Sequence, residues 1–305
     1  MTRIVPILTV IAAILALWWA CVIPMNAHLA ADMAARQDIA VSPETPAERK
    51  LLSGTRLAIT NPSIVPITYA LDRPRLPSPQ QVAIELYDSV FDKKITSKRS
   101  LVYHGWVTLS ATLLGFAMGT GLGILLAVGI VYSRTMDKSV MPWAIASQTI
   151  PILALAPMII VMLGSIGIQG LLPKAIISAY LSFFPVVVGM VKGLRSPDAM
   201  QLDLLRTYSA SDNQGFWKLR LPASVPYLFA SLKIGISASL VGAIVGELPT
   251  GAKAGFGARM LIGDQYGQPL VTWAALFAAA ITAAALVWII TMIEKGTLKR
   301  MGVTT

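Results

Sequence analysis

Residues 105–131 read GWVTLSATLLGFAMGTGLGILLAVGIV, without a single Asp, Glu, Lys or Arg. A helix rises about 1.5 Å per residue, so about 20 such residues cross the roughly 30 Å hydrocarbon layer of a bilayer. No water is present there to satisfy backbone N–H and C=O groups, so a run of this kind has to be a helix. Ala111, Gly115, Gly119, Gly123 and Ala127 recur every four residues and fall on one helix face. Small residues along one face let a second helix approach to backbone distance. The stretch therefore specifies a membrane-spanning helix packed along one stripe, and Gly121 is read as widening that groove.

Five more apolar runs flank it, at 4–25, 142–163, 171–191, 225–246 and 270–293. The composition agrees: 55% of residues are hydrophobic and 13% charged, against about 25% charged in soluble domains. Mean hydropathy is +0.67. The expected fold class is an all-α membrane protein with six transmembrane helices. The run at 4–25 follows a basic residue, Arg3, as a signal peptide would. It is longer than the 7–15 residues of a signal h-region, and Trp18 and Trp19 suit a membrane interface, so it reads as a retained helix.

The net charge is +10. On a soluble chain that would point to nucleic acid, but here the basic residues lie in the links between apolar runs. Placing the N-terminus in the cytoplasm puts Arg3, Arg134, Lys138, Lys192, Arg195, Arg206, Lys218, Arg220, Lys295, Lys299 and Arg300 inside. The short outer links then hold only Lys174, Lys253 and Arg259. That is the positive-inside pattern, with both termini cytoplasmic in a multi-pass bacterial inner-membrane protein. The basic links are assigned to topology and the lipid bilayer, and no nucleic-acid partner is expected. Cys21 is the only cysteine, and His28 and His104 lack the spacing of a metal site.

The chain divides into a first transmembrane helix (1–25), a periplasmic segment (26–104), a five-helix core (105–293) with a cytoplasmic loop (192–226), and a cytoplasmic tail (294–305). Within the periplasmic segment, Ser78, Pro79 and Gln81 form a helix start with a capping box. Val82, Leu86, Val90 and Phe91 then recur at helical spacing, predicting an amphipathic helix near 79–92 on the outer membrane surface. Residues 26–70 receive no role.

Three places carry candidate function. Ser231, Gly235, Ser239 and Ala243 form a small-residue stripe leading to Glu247, a carboxylate that is costly near a membrane unless paired or wet. It either braces the outer loop or lines a gate. The glycine-rich stretch at 248–257 predicts non-helical backbone dipping toward the bundle centre. Gln148 and Thr149 precede Pro151 and Pro157, where a proline kink frees backbone carbonyls; they either line a pathway or bond a neighbouring helix. Gly115, Gly119, Gly123 and Gly235 are assigned to helix packing.

The segment at 192–226 is too long for a turn. It reads as two short helices with apolar faces, broken around Asp212–Gly215, and an exposed apolar face on an inner loop suggests a docking surface. The segment resembles the cytoplasmic coupling loop of binding-protein-dependent ABC transporter permeases. That pattern is Glu-Ala-Ala, three residues, Gly, then a hydrophobic stretch ending in Leu-Pro. Counting back from Leu221-Pro222 puts Asp203, Leu204 and Leu205 on the triplet and Ser209 on the glycine, with Ala210 and Ser211 following. This copy departs from the pattern at each of those four positions. Leu76-Pro77-Ser78-Pro79, the stretch from Pro151 to Pro157, Gly246-Glu247-Leu248 and Gly255-Phe256-Gly257 resemble the nitrate/sulfonate/taurine-type branch, near the pyrimidine- and vitamin-type importers. The resemblance covers about residues 70–300.

The resemblance implies a type I ABC importer permease fold. It implies an ATPase-docking set of Asp203, Leu204, Leu205, Arg206, Ser209, Ala210 and Ser211, and a pathway or gate set of Gln148, Thr149 and Glu247. The chain has no Gly-x-x-x-x-Gly-Lys-Ser/Thr phosphate loop, so a separate cytoplasmic ATP-binding subunit dimer would hold ATP and Mg, with no cofactor and no catalytic residue in this chain. A periplasmic substrate-binding protein and a second permease copy, identical or paralogous, complete the implied assembly. The implied cargo is a small organic or anionic nutrient: a sulfonate, taurine, nitrate, a pyrimidine or a vitamin-like compound. The rival is a secondary transporter not coupled to ATP, which would carry ionisable residues within its spans; these spans are nearly free of Asp, Glu and Arg.

Overall fold

The apolar runs are helical, apart from a break at residues 148–151, in the computed structural model, which describes residues 4–249 and 252–302; Arg3, Thr250 and Gly251 lie outside them. In chain order the helices are α1 (Ile4–Arg36), α2 (Pro46–Leu51), α3 (Gly54–Thr60), α4 (Val65–Thr68), α5 (Pro79–Tyr87), α6 (Leu101–Tyr132), α7 (Arg134–Ser147), α8 (Ile152–Ser165), α9 (Leu171–Leu194), α10 (Ala199–Thr207), α11 (Asp212–Gly215), α12 (Leu221–Val245), α13 (Phe256–Gln265) and α14 (Pro269–Arg300). No strand occurs among the described residues.

Five helices are each long and apolar enough to cross a membrane, and the bent pair α7–α8 makes a sixth span only if taken together. This corrects the expected single helix at 142–163. The two helices meet at 97°, with the break at residues 148–151. Pro151 has no N–H to donate, and its ring drives Ile150 out of the α region. α7 also begins well before 142, where Ser133 Oγ accepts from the Met136 N–H at 3.3 Å.

The chain forms two compact units: Met1–Val102 with Arg259–Ala278, and Tyr103–Ala258 with Ala279–Thr305. These units cross the boundaries read from sequence. α1 runs past Met25 to Arg36, and α14 runs past Ile293 to Arg300.

In the first unit, the extension of α1 explains residues 26–70. Ala27, Ala30, Ala31 and Ala34 form a buried stripe, and Leu57, Ala58 and Ile64 of the following short helices pack on it. Small residues let those helices come close: a Cβ on Gly54 would sit 2.0 Å from the Pro24 carbonyl oxygen. Asn26 is buried and fully bonded. Its amide donates to the carbonyls of Thr68 and Leu76, and its oxygen accepts from the N–H groups of Arg75 and Leu76. Trp18 donates its indole N–H to the Pro77 carbonyl at 2.9 Å and stacks on Trp273 and Phe277. The capping box at Ser78 and Gln81 is present and α5 starts at Pro79. Val82 is buried, but Phe91 is exposed rather than sharing its face.

In the second unit, α6, α9 and α12 are held at backbone distance. A Cβ on Gly115 would lie 2.4 Å from Ser178 Cβ, one on Gly119 2.2 Å from Ser182 Oγ, and one on Gly123 2.9 Å from the Phe183 carbonyl oxygen. On α12, a Cβ on Gly242 would lie 2.7 Å from Ser178 Cα, whereas Gly235 has 3.4 Å to Phe116. Where the three helices meet, Ser178 and Ser239 hydroxyls lie 2.6 Å apart, and Ser239 donates to the Thr112 carbonyl at 2.8 Å. Gly121 does not widen this groove: nothing lies within 4 Å of a Cβ placed there.

Candidate functional site

Since α9 ends at Leu194 and α12 begins at Leu221, the second unit has two functional ends. One carries the loop between those helices. The other carries Glu247.

The loop is closed at its base. Arg220 donates to the Leu194 carbonyl at 3.0 Å, and Arg195 pairs with Asp137 at 3.0 Å. From there the chain is specified residue by residue. Gln201 accepts from the Asp198 N–H at 3.2 Å where α10 starts. The helix ends at Tyr208, and Ser209 takes φ 52°, the left-handed region. The Ser209 N–H donates to the Arg206 carbonyl and the Ala210 N–H to the Leu205 carbonyl, which is a Schellman ending. Ser211 then accepts from the Gln214 N–H at 3.3 Å, and Gln214 accepts from the Ser211 N–H at 3.0 Å, starting α11.

One reading of this loop is revised. The break lies at Tyr208–Ser211, not around Asp212–Gly215, which is itself helical. The position matching the pattern's glycine is one where φ is positive, so glycine suits it on steric grounds alone. Ser209 holds the same conformation at a cost that its small side chain keeps low.

No residue of α10 is buried. Met200, Leu204 and Tyr208 are spaced by four and form one exposed apolar stripe, with Trp217 exposed beyond the turn. Of the expected docking set, Leu204 lies on this stripe. Asp203 and Arg206 pair with each other at 3.1 Å in the open. Leu205 is half-buried, with its Cδ1 4.0 Å from a Cβ placed on Gly215. Met200, Tyr208 and Trp217 were not singled out from sequence, although the spacing of four was there to find.

At the other end, Glu247 is wholly buried, two residues beyond the last helical residue of α12. Its carboxylate lies 3.0 and 2.9 Å from the Thr108 hydroxyl, accepts from the Gly257 N–H at 3.0 Å, and lies 3.6 Å from the Lys174 ammonium. Lys174 also donates to the Ala254 carbonyl at 3.0 Å. The Gly255 N–H donates to His104 Nδ1, and the Phe256 N–H to the Thr108 hydroxyl. The Gly-Phe-Gly stretch is required by this closeness. Gly255 has φ 124°, and a Cβ there would lie 2.0 Å from the Glu247 carboxyl carbon; one on Gly257 would lie 2.4 Å from the Ile244 carbonyl oxygen. Burial pushes the Glu247 carboxyl up to about 7, against the opposing pull of Lys174, the Gly257 N–H and the Thr108 hydroxyl.

Gln148 and Thr149 sit exposed in the α7–α8 break, and the Thr149 hydroxyl donates to the Ala146 carbonyl. Neither is among the bonded partners of Glu247. Tyr180 donates to the Ser147 carbonyl at the same break, so α9 satisfies one of the freed backbone groups. Among the described residues, no three His, Cys, Asp or Glu side chains are grouped to hold a metal ion.

Residues 119–301 match the family model described as the binding-protein-dependent transport system inner membrane component. The chain is 32% identical over 200 residues to a probable ABC transporter permease protein of Haemophilus influenzae, covering 66% of this chain and 76% of that one. It is 32% identical over 182 residues to the formylaminopyrimidine transport permease protein ThiX of Halalkalibacterium halodurans, covering 60% and 68%. It is 24% identical over 224 residues to the putative aliphatic sulfonates transport permease protein SsuC of Bacillus subtilis, covering 73% and 77%. The chain therefore belongs to the inner-membrane permease family of binding-protein-dependent ABC transporters. Its all-α architecture is that of a multi-pass permease of the type I importer kind.

Proposed function

We propose that this chain is the transmembrane subunit of an ATP-driven importer, carrying a small organic or anionic nutrient from periplasm to cytoplasm by alternating access. The carrying observation is the 195–220 loop: an exposed apolar stripe on a segment whose turn at 208–211 is hydrogen-bonded on both sides and whose base is closed. A stripe that is exposed and also rigid suits transmission of force from a partner. A separate cytoplasmic ATPase dimer binds ATP and Mg and grips α10. Its closure moves the loop, and α9 and α12, locked together at backbone distance, follow as one body. The nucleotide acts by favouring one of two states, so the energy enters through differential binding and not through chemistry in this chain.

The basic residues of the loop support a cytoplasmic position for it, with both termini on the same side. A periplasmic binding protein delivers the cargo, and a second permease copy, identical or paralogous, completes the pathway, with Gln148, Thr149 and Glu247 as its candidate lining or gate. The names of the relatives support the cargo class: they transport formylaminopyrimidine, riboflavin, aliphatic sulfonates and nitrate. One observation favours an ATP-independent carrier instead, namely an ion pair between Lys233 and Glu294 on the spanning helices α12 and α14.

The test is co-purification followed by reconstitution. The chain, expressed with an ABC-type ATPase subunit from the same genome, should retain that ATPase through detergent extraction. Cysteines introduced at Leu204 and Tyr208 should cross-link to it. An ATPase that binds only outside residues 195–220, or uptake that continues without any ATPase, would overturn the reading.

A further inference from the structure

At the Glu247 end of the second unit lies a cavity of about 790 Å³. Pockets that take small organic molecules run from about 300 to 1,000 Å³, so its size suits a metabolite. Tyr103 and Trp106 of α6 form an aromatic wall, and Ile160 and Ile168 continue it with aliphatic surface. Lys174 and Lys253 bring two ammonium groups to the lining, and no Asp or Glu is among the lining residues. The Glu247 carboxylate lies behind the wall, 3.6 Å from Lys174. An ammonium has three protons; Lys174 donates one to the Ala254 carbonyl at 3.0 Å and is only ion-paired with Glu247 at 3.6 Å, so it keeps donor capacity for the cavity. Lys253 is exposed and has no carboxylate partner among the described residues. Gly170, at positive φ with open space around it, is among the lining residues.

We infer that this cavity binds an organic anion: a carboxylate, sulfonate or phosphate group held by Lys253 and Lys174, joined to a flat apolar body lying on Trp106 and Tyr103. The inference rests on the permease reading and deepens it, because it gives the chain itself a preference for charge and ring. A simple anion without an apolar body would leave the indole face unused. A cation would meet two ammonium groups and no acid among the lining residues. The same chemistry describes an acidic lipid headgroup, so the test has to separate the two.

Full-length chain in phosphatidylcholine nanodiscs is examined by saturation-transfer NMR with p-toluenesulfonate, and with p-toluenesulfonamide as its uncharged counterpart. The sulfonate should give the stronger signal. Lys253→Gln and Trp106→Ala should each weaken its binding about tenfold, the scale of one charge-assisted contact, and Lys253→Arg should restore it. Equal signals from sulfonate and sulfonamide, no sulfonate signal, or variants that bind as the parent does would overturn the inference. So would loss of the signal in phosphatidylglycerol nanodiscs, which would assign the cavity to lipid. Retention of the ATPase, measured on the same preparation, reports separately: an ATPase held with no sulfonate bound sinks the cavity alone, and the reverse sinks the permease reading alone.

Discussion

Lys233, within α12, places its ammonium 2.5 Å from the carboxylate of Glu294 on α14. Ionisable groups in spanning helices are expensive unless paired, and here each neutralises the other. Single neutralisation, as Glu294→Gln or Lys233→Met, leaves one charge without its partner. Loss of one partner from a fully buried pair costs about 3–5 kcal/mol; these side chains are 30% and 16% exposed, so they are less than fully buried and a smaller cost, about 1–3 kcal/mol, is expected. The double variant Lys233→Met/Glu294→Met should recover most of the loss. Thermal unfolding in detergent measures it, and two singles as stable as the parent would show the pair contributes nothing.

The close packing of α6 on α9 gives a contrast within one helix. Gly119→Ala puts a methyl 2.2 Å from the Ser182 hydroxyl, while Gly121→Ala puts one in open space. Overpacking of a tight contact costs about 1–3 kcal/mol; an open helical site gains slightly from Ala. The unfolding temperature should fall for the first and hold or rise for the second. Equal effects would mean that this stripe is not where the helices meet.

The six apolar runs were legible because about 20 apolar residues with at most one charge have one physical reading. The break in the third run was not. Pro151 announced a kink, but hydropathy hid α7, whose first turns carry Arg134, Asp137 and Lys138. Residues 26–70 show a similar asymmetry. The stripe of Ala27, Ala30, Ala31 and Ala34 has helical spacing on the page, yet its partners Leu57 and Ile64 are distant in sequence. His104 lacked a partner in sequence because the partner is a backbone N–H, that of Gly255. Lys233 lies within the fifth run and Glu294 just past the sixth, so their pairing is visible only in the fold. The exposed stripe was half legible: the motif match covers Leu204, while Met200 and Tyr208 emerge only from the helical period.

Ser209 offers a test at the loop. A non-glycine residue in the left-handed region costs about 1–2 kcal/mol. Ser209→Gly should therefore stabilise the end of α10 by about 1 kcal/mol, slow proteolysis at residues 208–211, and keep ATP-driven uptake. Ser209→Val should do the opposite. A bulky charged residue at Ser209 or Ala210 should uncouple ATPase activity from uptake while the bundle stays folded. Normal stimulated ATPase and uptake in that last variant would count against the docking role.

Glu247 makes stability depend on pH, and the sign follows from its burial. Its carboxyl is raised from 4.5 to about 7 in the folded chain, so the folded state holds a proton that the unfolded state has released over that interval. The contribution is full below about pH 4.5, falls as pH rises, and is gone above about 7. The parent should thus lose unfolding temperature between pH 5 and pH 8 relative to Glu247→Gln, which has no carboxyl to titrate. The bonds of Glu247 to Thr108 and Gly257 limit the loss, because both donate to the ionised form and hold the loop once the proton has gone. Thr108→Val removes the hydroxyl that reaches both carboxylate oxygens and the Phe256 N–H, so it should steepen the fall at pH 8 and leave pH 5 less affected. Identical pH profiles for the parent and Glu247→Gln would show that this carboxyl does not change its proton occupancy on folding.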